Sequence, residues 1–180
     1  MISPIHTLGP GERIGLWIQG CSKNCRGCIS KELQIFDESK NIPIDILVSL
    51  IKKEADRSKC RRITISGGDP FEQPEELYEL LVGIRKRFKD ILVYTGNTMS
   101  EIKASEIMYK CFLLIDVLVD GRYIEEKNNG KSRIYGSDNQ KIFIQKEELV
   151  KDYQEFEKGE RTLETFIHEN RVITVGIQKR

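Results

Sequence analysis

The chain has 180 residues, 39 % of them hydrophobic, enough for one domain with its own core. Its 29 Lys and Arg stand against 28 Asp and Glu, and the formal net charge of +1 gives no electrostatic case for nucleic acid or a membrane surface. The longest apolar stretch, Cys111 to Val119, is interrupted by Asp116 and too short to span a bilayer, and no charged-then-apolar leader opens the chain, so the expectation is a soluble, cytoplasmic protein with reduced thiols.

Strand-like and helix-like patterns alternate along the chain. Arg13 to Gln19 is a short apolar run ending at Gly20 and reads as a first strand. Pro43 to Asp56 carries Ile46, Leu47, Leu50 and Ile51 at helical spacing, with Pro43 near the start, where its missing N–H costs nothing. Arg62 to Ser66 is β-branched and stops at Gly67-Gly68, a second strand. Pro74 to Phe88 is the clearest helix: Leu77, Leu80, Leu81, Ile84 and Phe88 form its stripe, with Glu75 and Glu76 in the first turn and Arg85, Lys86 and Arg87 in the last. Ile91 to Thr95 follows as a strand, Ser100 to Tyr109 as a short helix and Ile115 to Val119 as a fourth strand. The segment from Lys146 to Ile167 is charged with apolar residues at roughly helical spacing, and Arg171 to Ile177 reads as a final strand, expected at a sheet edge. Alternating strands and helices predict an α/β fold of parallel βαβ units, in which ligands gather at the carboxyl ends of the strands.

Four polar or glycine-rich loops fall at those ends. The first holds three cysteines, Cys21, Cys25 and Cys28; Gly67-Gly68-Asp69-Pro70, Gly96-Asn97 and Asp120-Gly121 follow the next three strands. A zinc site normally wants four Cys or His ligands in paired spacings, whereas the histidines here are His6 and His168, and Cys60 and Cys111 lie far away in sequence. A disulfide framework does not suit an odd count of five cysteines in a chain of this length. A plain electron-carrying cluster needs a fourth ligand, which Cys60 or Cys111 would have to supply by folding close. A [4Fe-4S] cluster held by three thiolates instead leaves one iron without a protein ligand, open to chemistry. Cys60 and Cys111 read as buried or incidental thiols, Trp17 and Phe36 as packing residues, and the basic run Arg57 to Arg62 as solvated surface. Asp116 and Asp120 are candidates for hydrogen bonds at the rim, and Asp116 equally for capping a turn.

The Cys-x3-Cys-x2-Cys spacing resembles that of radical S-adenosylmethionine (SAM) enzymes, and Gly67-Gly68-Asp69-Pro70 is similar to their Gly-Gly-Glu-Pro element. Gly9-Pro10-Gly11-Glu12-Arg13, Gly27 before the last loop cysteine, Ser66 to Pro70, Tyr94-Thr95-Gly96, Asp116 to Gly121 and Gly136 to Gln140 narrow the resemblance. They look like the activating proteins of anaerobic ribonucleoside-triphosphate reductase, in that family's order. The resemblance implies a small α/β partial (βα) barrel of the radical SAM type, with a core of about residues 9–145 and a helix-and-strand extension over 146–180. It implies cluster ligation by Cys21, Cys25 and Cys28, and SAM binding by Gly27, Cys28, Ile29, Gly67, Gly68 and Asp69. The implied activity is reductive cleavage of SAM to a 5′-deoxyadenosyl radical that takes a hydrogen atom from a glycine of a partner subunit, with a low-potential donor such as flavodoxin or ferredoxin and no acid–base pair. Two departures stand out: Ile29-Ser30, where relatives often carry an aromatic residue and Asn, and Ile134-Tyr135-Gly136, where they usually show Trp-Arg-Gly. The alternatives are a radical SAM enzyme modifying another protein, peptide or small molecule, and a non-catalytic iron–sulfur redox sensor. A bulky residue at Gly68 is expected to weaken SAM binding while sparing iron.

Overall fold

The computed structural model describes residues 1–168 and 171–178. Its centre is a six-stranded sheet in simple sequential order: β1 (Ile2–Ile5), β2 (Arg13–Ile18), β3 (Arg62–Gly67), β4 (Asp90–Tyr94), β5 (Val117–Asp120) and β6 (Lys141–Ile144). β2 through β5 run parallel, and β1 and β6 close the two edges antiparallel. The four parallel strands are those expected from the sequence. The two edge strands were not expected, since each has only four residues and β1 contains Pro4, which masks a strand pattern.

Side chains alternate across the sheet, as the period of two requires. Ile14, Leu16, Ile63, Ile65, Ile91, Val93 and Leu118 face one way, under helices α1 (Ile44–Ser58), α2 (Pro74–Ile84), α3 (Met99–Ala104) and α4 (Glu106–Leu113). The predicted stripe of α2 holds, with Leu77, Leu80, Leu81 and Ile84 buried, although the helix passes into a 3-10 turn over Arg85–Arg87 before Phe88. The single helix expected over Ser100 to Tyr109 is two. Thr98 and Glu101 form a capping box that starts α3, and Ser105 ends it and caps α4 by accepting from Met108 N.

On the other face Leu92, Val117 and Val119 pack beneath Leu149, Tyr153 and Phe156 of helix α5 (Glu147–Glu157). The helical pattern read through to Ile167 therefore ends ten residues early. Residues Glu164–His168 form β7, paired antiparallel with β8 (Arg171–Val175) in a separate hairpin. The final strand is thus an edge of its own hairpin and not of the main sheet, because β1 and β6 already occupy both sheet edges.

At the amino ends of the parallel strands, a fully buried Arg13 donates to Thr64 Oγ1 (2.7 Å), Asp90 Oδ2 (2.5 Å), Pro10 O (3.2 Å) and Ile63 O (2.9 Å). Burial opposes the charge on Arg13, but Tyr153 and Asp90 more than offset this and hold its pKa above the ordinary value. Asp116 also lies at this end, bound by Arg85 (2.8 Å) and Lys146 (2.8 Å) and accepting from Ile91 N. It is therefore not a rim residue. Asp120 is at the rim, where it accepts from Met99 N and Lys141 N and ties the two neighbouring loops. No helix among the described residues is long and apolar enough to cross a membrane.

Candidate iron–sulfur site

The cysteine loop leaves the carboxyl end of β2 through Gly20, whose φ of +96° favours glycine. Gly20 N donates to Leu33 O (2.7 Å) and Cys21 N to Gln34 O (3.0 Å), so the loop folds back on its own return segment. Cys28 N bonds to Cys25 O (3.2 Å), and Gly27, at φ +71°, allows the turn between them. All three thiols are free and half-buried. Burial pushes Cys21 and Cys25 upward, with Cys28 adding to the effect on Cys25, so iron binding must displace their protons.

Asp69 knots the neighbouring loops together. Its side chain is buried, with Oδ1 accepting from Phe71 N (3.0 Å) and Thr95 Oγ1 (2.8 Å) and Oδ2 from Gly96 N (2.9 Å) and Lys23 Nζ (2.8 Å). Lys23 also reaches Glu72 (3.0 Å), which accepts from Ser22 as well. Burial opposes the Lys23 charge, yet Asp69 and Glu72 hold its pKa above the ordinary value. The Asp69 carboxylate, expected to bind cofactor, joins three loops at the edge of the cysteine cavity.

The donor set fits a cluster better than a single ion. Four-coordinate zinc brings its sulfurs within about 3.8 Å of one another. Among the described residues, the three donors found within 4.8 Å of one another are Cys21, Asp69 and Glu72, and Lys23 is paired with both carboxylates. Among the described residues the three loop thiols do not form such a group, which suits ligands to separate irons. Cys60 and Cys111 both lie in the helix-side core, where Cys111 Sγ donates to Pro74 O (3.2 Å). Neither lines the cavity at the cysteine loop.

That cavity brings together Cys21, Cys25, Cys28, Gly27, Ile29, Gly67, Gly68 and Asp69, every site residue expected from the sequence. A Cβ on Gly67 would collide with the Ile18 backbone, and one on Gly68 with the carbonyl oxygens of Gly20 and Leu33. Because Gly20 precedes Cys21, Gly68 cannot be enlarged without moving the cysteine loop. Gly68→Ala is therefore expected to lower iron incorporation, measured by iron assay after anaerobic reconstitution. Full iron content in that variant would show that the loop tolerates the displacement. Sequence reading missed Lys23, Tyr123, Asn128 and the segment Gly176 to Gln178, which also line the cavity. Only Lys23, inside the cysteine loop, offered a local signal. Trp17 packs with the cluster of Ile5, Leu8 and Val175, and the Phe36 ring lies against Gly20.

The 4Fe-4S single cluster domain family matches residues 7–143. The chain is 33 % identical over 143 residues to an anaerobic ribonucleoside-triphosphate reductase-activating protein of Pasteurella multocida, covering 75 % of this chain and 89 % of the relative. The protein of the same name from Enterobacteria phage T4 is 31 % identical over 140 residues, covering 75 % and 85 %. That of Escherichia coli K12 is 31 % identical over 139 residues, covering 74 % and 89 %. With its three thiols in the loop after β2, inside the matched cluster domain, the chain belongs to the family of anaerobic ribonucleoside-triphosphate reductase-activating proteins.

Proposed function

We propose that the protein is a radical SAM enzyme that installs a glycyl radical on anaerobic ribonucleoside-triphosphate reductase. The observation that carries this reading is the loop of three half-buried thiols on a cavity that neither Cys60 nor Cys111 reaches. Cys21, Cys25 and Cys28 would hold three irons of a [4Fe-4S] cluster and leave the fourth for SAM. When bound, cluster and SAM supply a one-electron reductive cleavage of a carbon–sulfur bond, giving methionine and a carbon-centred radical that takes a hydrogen atom from the partner's glycine.

The chain's own residues bind and orient. Gly67 and Gly68 keep the second loop free of side chains beside the cysteines, exposing backbone acceptors suited to an ammonium group. Ile29, about half exposed, offers an apolar wall with Gly27. Lys23, Asp69 and Thr95 lock three loops into one frame, which fixes the reacting groups relative to one another. The electron comes from a low-potential carrier of the flavodoxin or ferredoxin class, and the setting is the reducing cytoplasm. The sheet is the wall of a radical SAM partial barrel, residues 9–145 forming its core and 146–180 an extension of the same domain. The family match over 7–143 supports that division.

Anaerobic reconstitution, reduction with dithionite and addition of SAM are expected to yield 5′-deoxyadenosine, together with a glycyl radical signal when the reductase subunit is present. Cleavage without that signal would assign a different protein, peptide or small molecule as substrate. An intact cluster that cleaves no SAM would make the protein a redox sensor.

A further inference from the structure

The segment after α5 spans from one edge of the main sheet to the other. Near β1, Glu164 accepts from His6 N (2.7 Å) and Thr7 Oγ1 (3.0 Å) and contacts His6 Nδ1 (2.8 Å), while Thr7 Oγ1 also donates to Val175 O (3.2 Å). Val175 is buried with Ile5 and Leu8, and Phe166 and Ile177 pack against them. Toward β6, the buried Arg161 reaches the connection between β5 and β6. Its guanidinium donates to Ser132 O (2.6 Å), Tyr135 O (3.0 Å) and Asn128 Oδ1 (2.7 Å). The same group donates to Gln178 O (2.8 Å), beyond the hairpin. One buried fork thus joins the C-terminal strand's continuation to the loop opposite.

Both partners of that fork are walls of the cysteine cavity: Gly176, Ile177 and Gln178 on one side, Asn128 and Gly136 on the other. Gly176 crosses tightly, since its φ is +136° and a Cβ there would collide with Thr162 O. This wall lies outside residues 7–143, the part matched by the cluster-domain family.

We infer that Arg161 is a positioning residue that pins the Gly176–Gln178 segment as a wall of the cysteine cavity, and that this wall slows exchange of the small-molecule cofactor. The inference rests on the reading that SAM occupies the cavity. A guanidinium is suited to the task because its planar fork serves several carbonyls at fixed angles, which a lysine ammonium cannot.

Two variants act on the wall from opposite ends. Arg161→Lys removes the fork, and Gly176→Val forces the segment off Thr162. In the cluster-free protein, N-ethylmaleimide is expected to alkylate Cys21, Cys25 and Cys28 about tenfold faster in both variants, with Cys60 and Cys111 unchanged as reporters of the core. In the reconstituted protein, iron content should match the wild type while SAM dissociates about tenfold faster. Unchanged loop-thiol rates in both variants would overturn the inference. So would equal acceleration of all five thiols, which marks general loosening, or faster alkylation with unaltered SAM dissociation. If one variant does not fold, the other carries the test. Wild-type protein with a complete cluster and no SAM binding would sink the proposed function, and the alkylation rates would still decide whether the segment covers the site.

Discussion

Cys25→Ala protein, reconstituted anaerobically, is expected to lack the visible absorbance of an iron–sulfur cluster, to retain little iron and to produce no 5′-deoxyadenosine above background. Three thiolates are the whole protein ligand set on this reading, and losing one leaves two irons exposed to solvent thiols and oxygen. The fold should survive, because Cys25 is a half-buried loop residue outside the core and such changes cost within about 0.5 kcal/mol. The contrast is Cys111→Ala. Cys111 is fully buried in the helix-side core, away from the cavity, and burial pushes its thiol up to about 12. That variant should keep its cluster and lose about 1–2 kcal/mol of stability through lost packing. Retention of a full cluster in Cys25→Ala, or its loss in stably folded Cys111→Ala, would place the ligands elsewhere.

What could be read from the sequence follows from which signals are local. The cysteine spacing, the glycines at the end of β3 and the apolar stripe of α2 are each contained within a short stretch of chain, and all appear where expected. Partnerships between distant residues left no such trace. Asp69 stands out in the sequence through its motif loop, and only the folded chain brings Lys23, Thr95 and Gly96 to its oxygens. Asp116 looked like a rim residue because it begins a strand motif, whereas its position at the amino end of β5 pairs it with Arg85 and Lys146. The run from Glu164 to Ile167 sat in a charged segment whose helical spacing continued from α5, and pairing with β8 overrode it. The basic run Arg57 to Arg62 is surface, as its composition suggested, with Arg57, Lys59 and Arg61 exposed, and only the partners of its cations were illegible. Arg57 pairs with Glu54, Arg61 donates to Ala55 O, and Arg62 reaches Asp152.

The largest loss of stability is expected from Asp90→Ala, at the end of the sheet remote from the cysteines. Asp90 pairs with Arg13 at 2.5 Å and accepts from Tyr153 OH at 3.0 Å, and both carboxylate and guanidinium are 0 % exposed. Removing the carboxylate leaves a buried cation whose other bonds go to neutral oxygens, a change that costs about 3–5 kcal/mol. Arg13→Met should cost less, because Arg62 stands 4.0 Å from Asp90 and, being partly exposed, can turn toward it. Replacing the whole group by Arg13→Met, Asp90→Leu and Tyr153→Phe should recover most of the loss, since an apolar set of similar volume leaves no orphaned charge or hydroxyl. Urea unfolding of the cluster-free variants measures this order directly. Equal losses for Asp90→Ala and Arg13→Met would deny Arg62 its compensating role. A triple variant no more stable than Asp90→Ala would mean that the network's geometry, not its charge balance, holds this end of the sheet. Gly9 fits the same account, because a Cβ there would stand 3.0 Å from Arg13 Nε, so the Gly9-Pro10-Gly11 turn is shaped to cover the guanidinium. The Gly9 to Arg13 motif is thus a device of folding. Variants in it that still fold should take up iron like the wild type, which separates their effect from that of the cysteine loop.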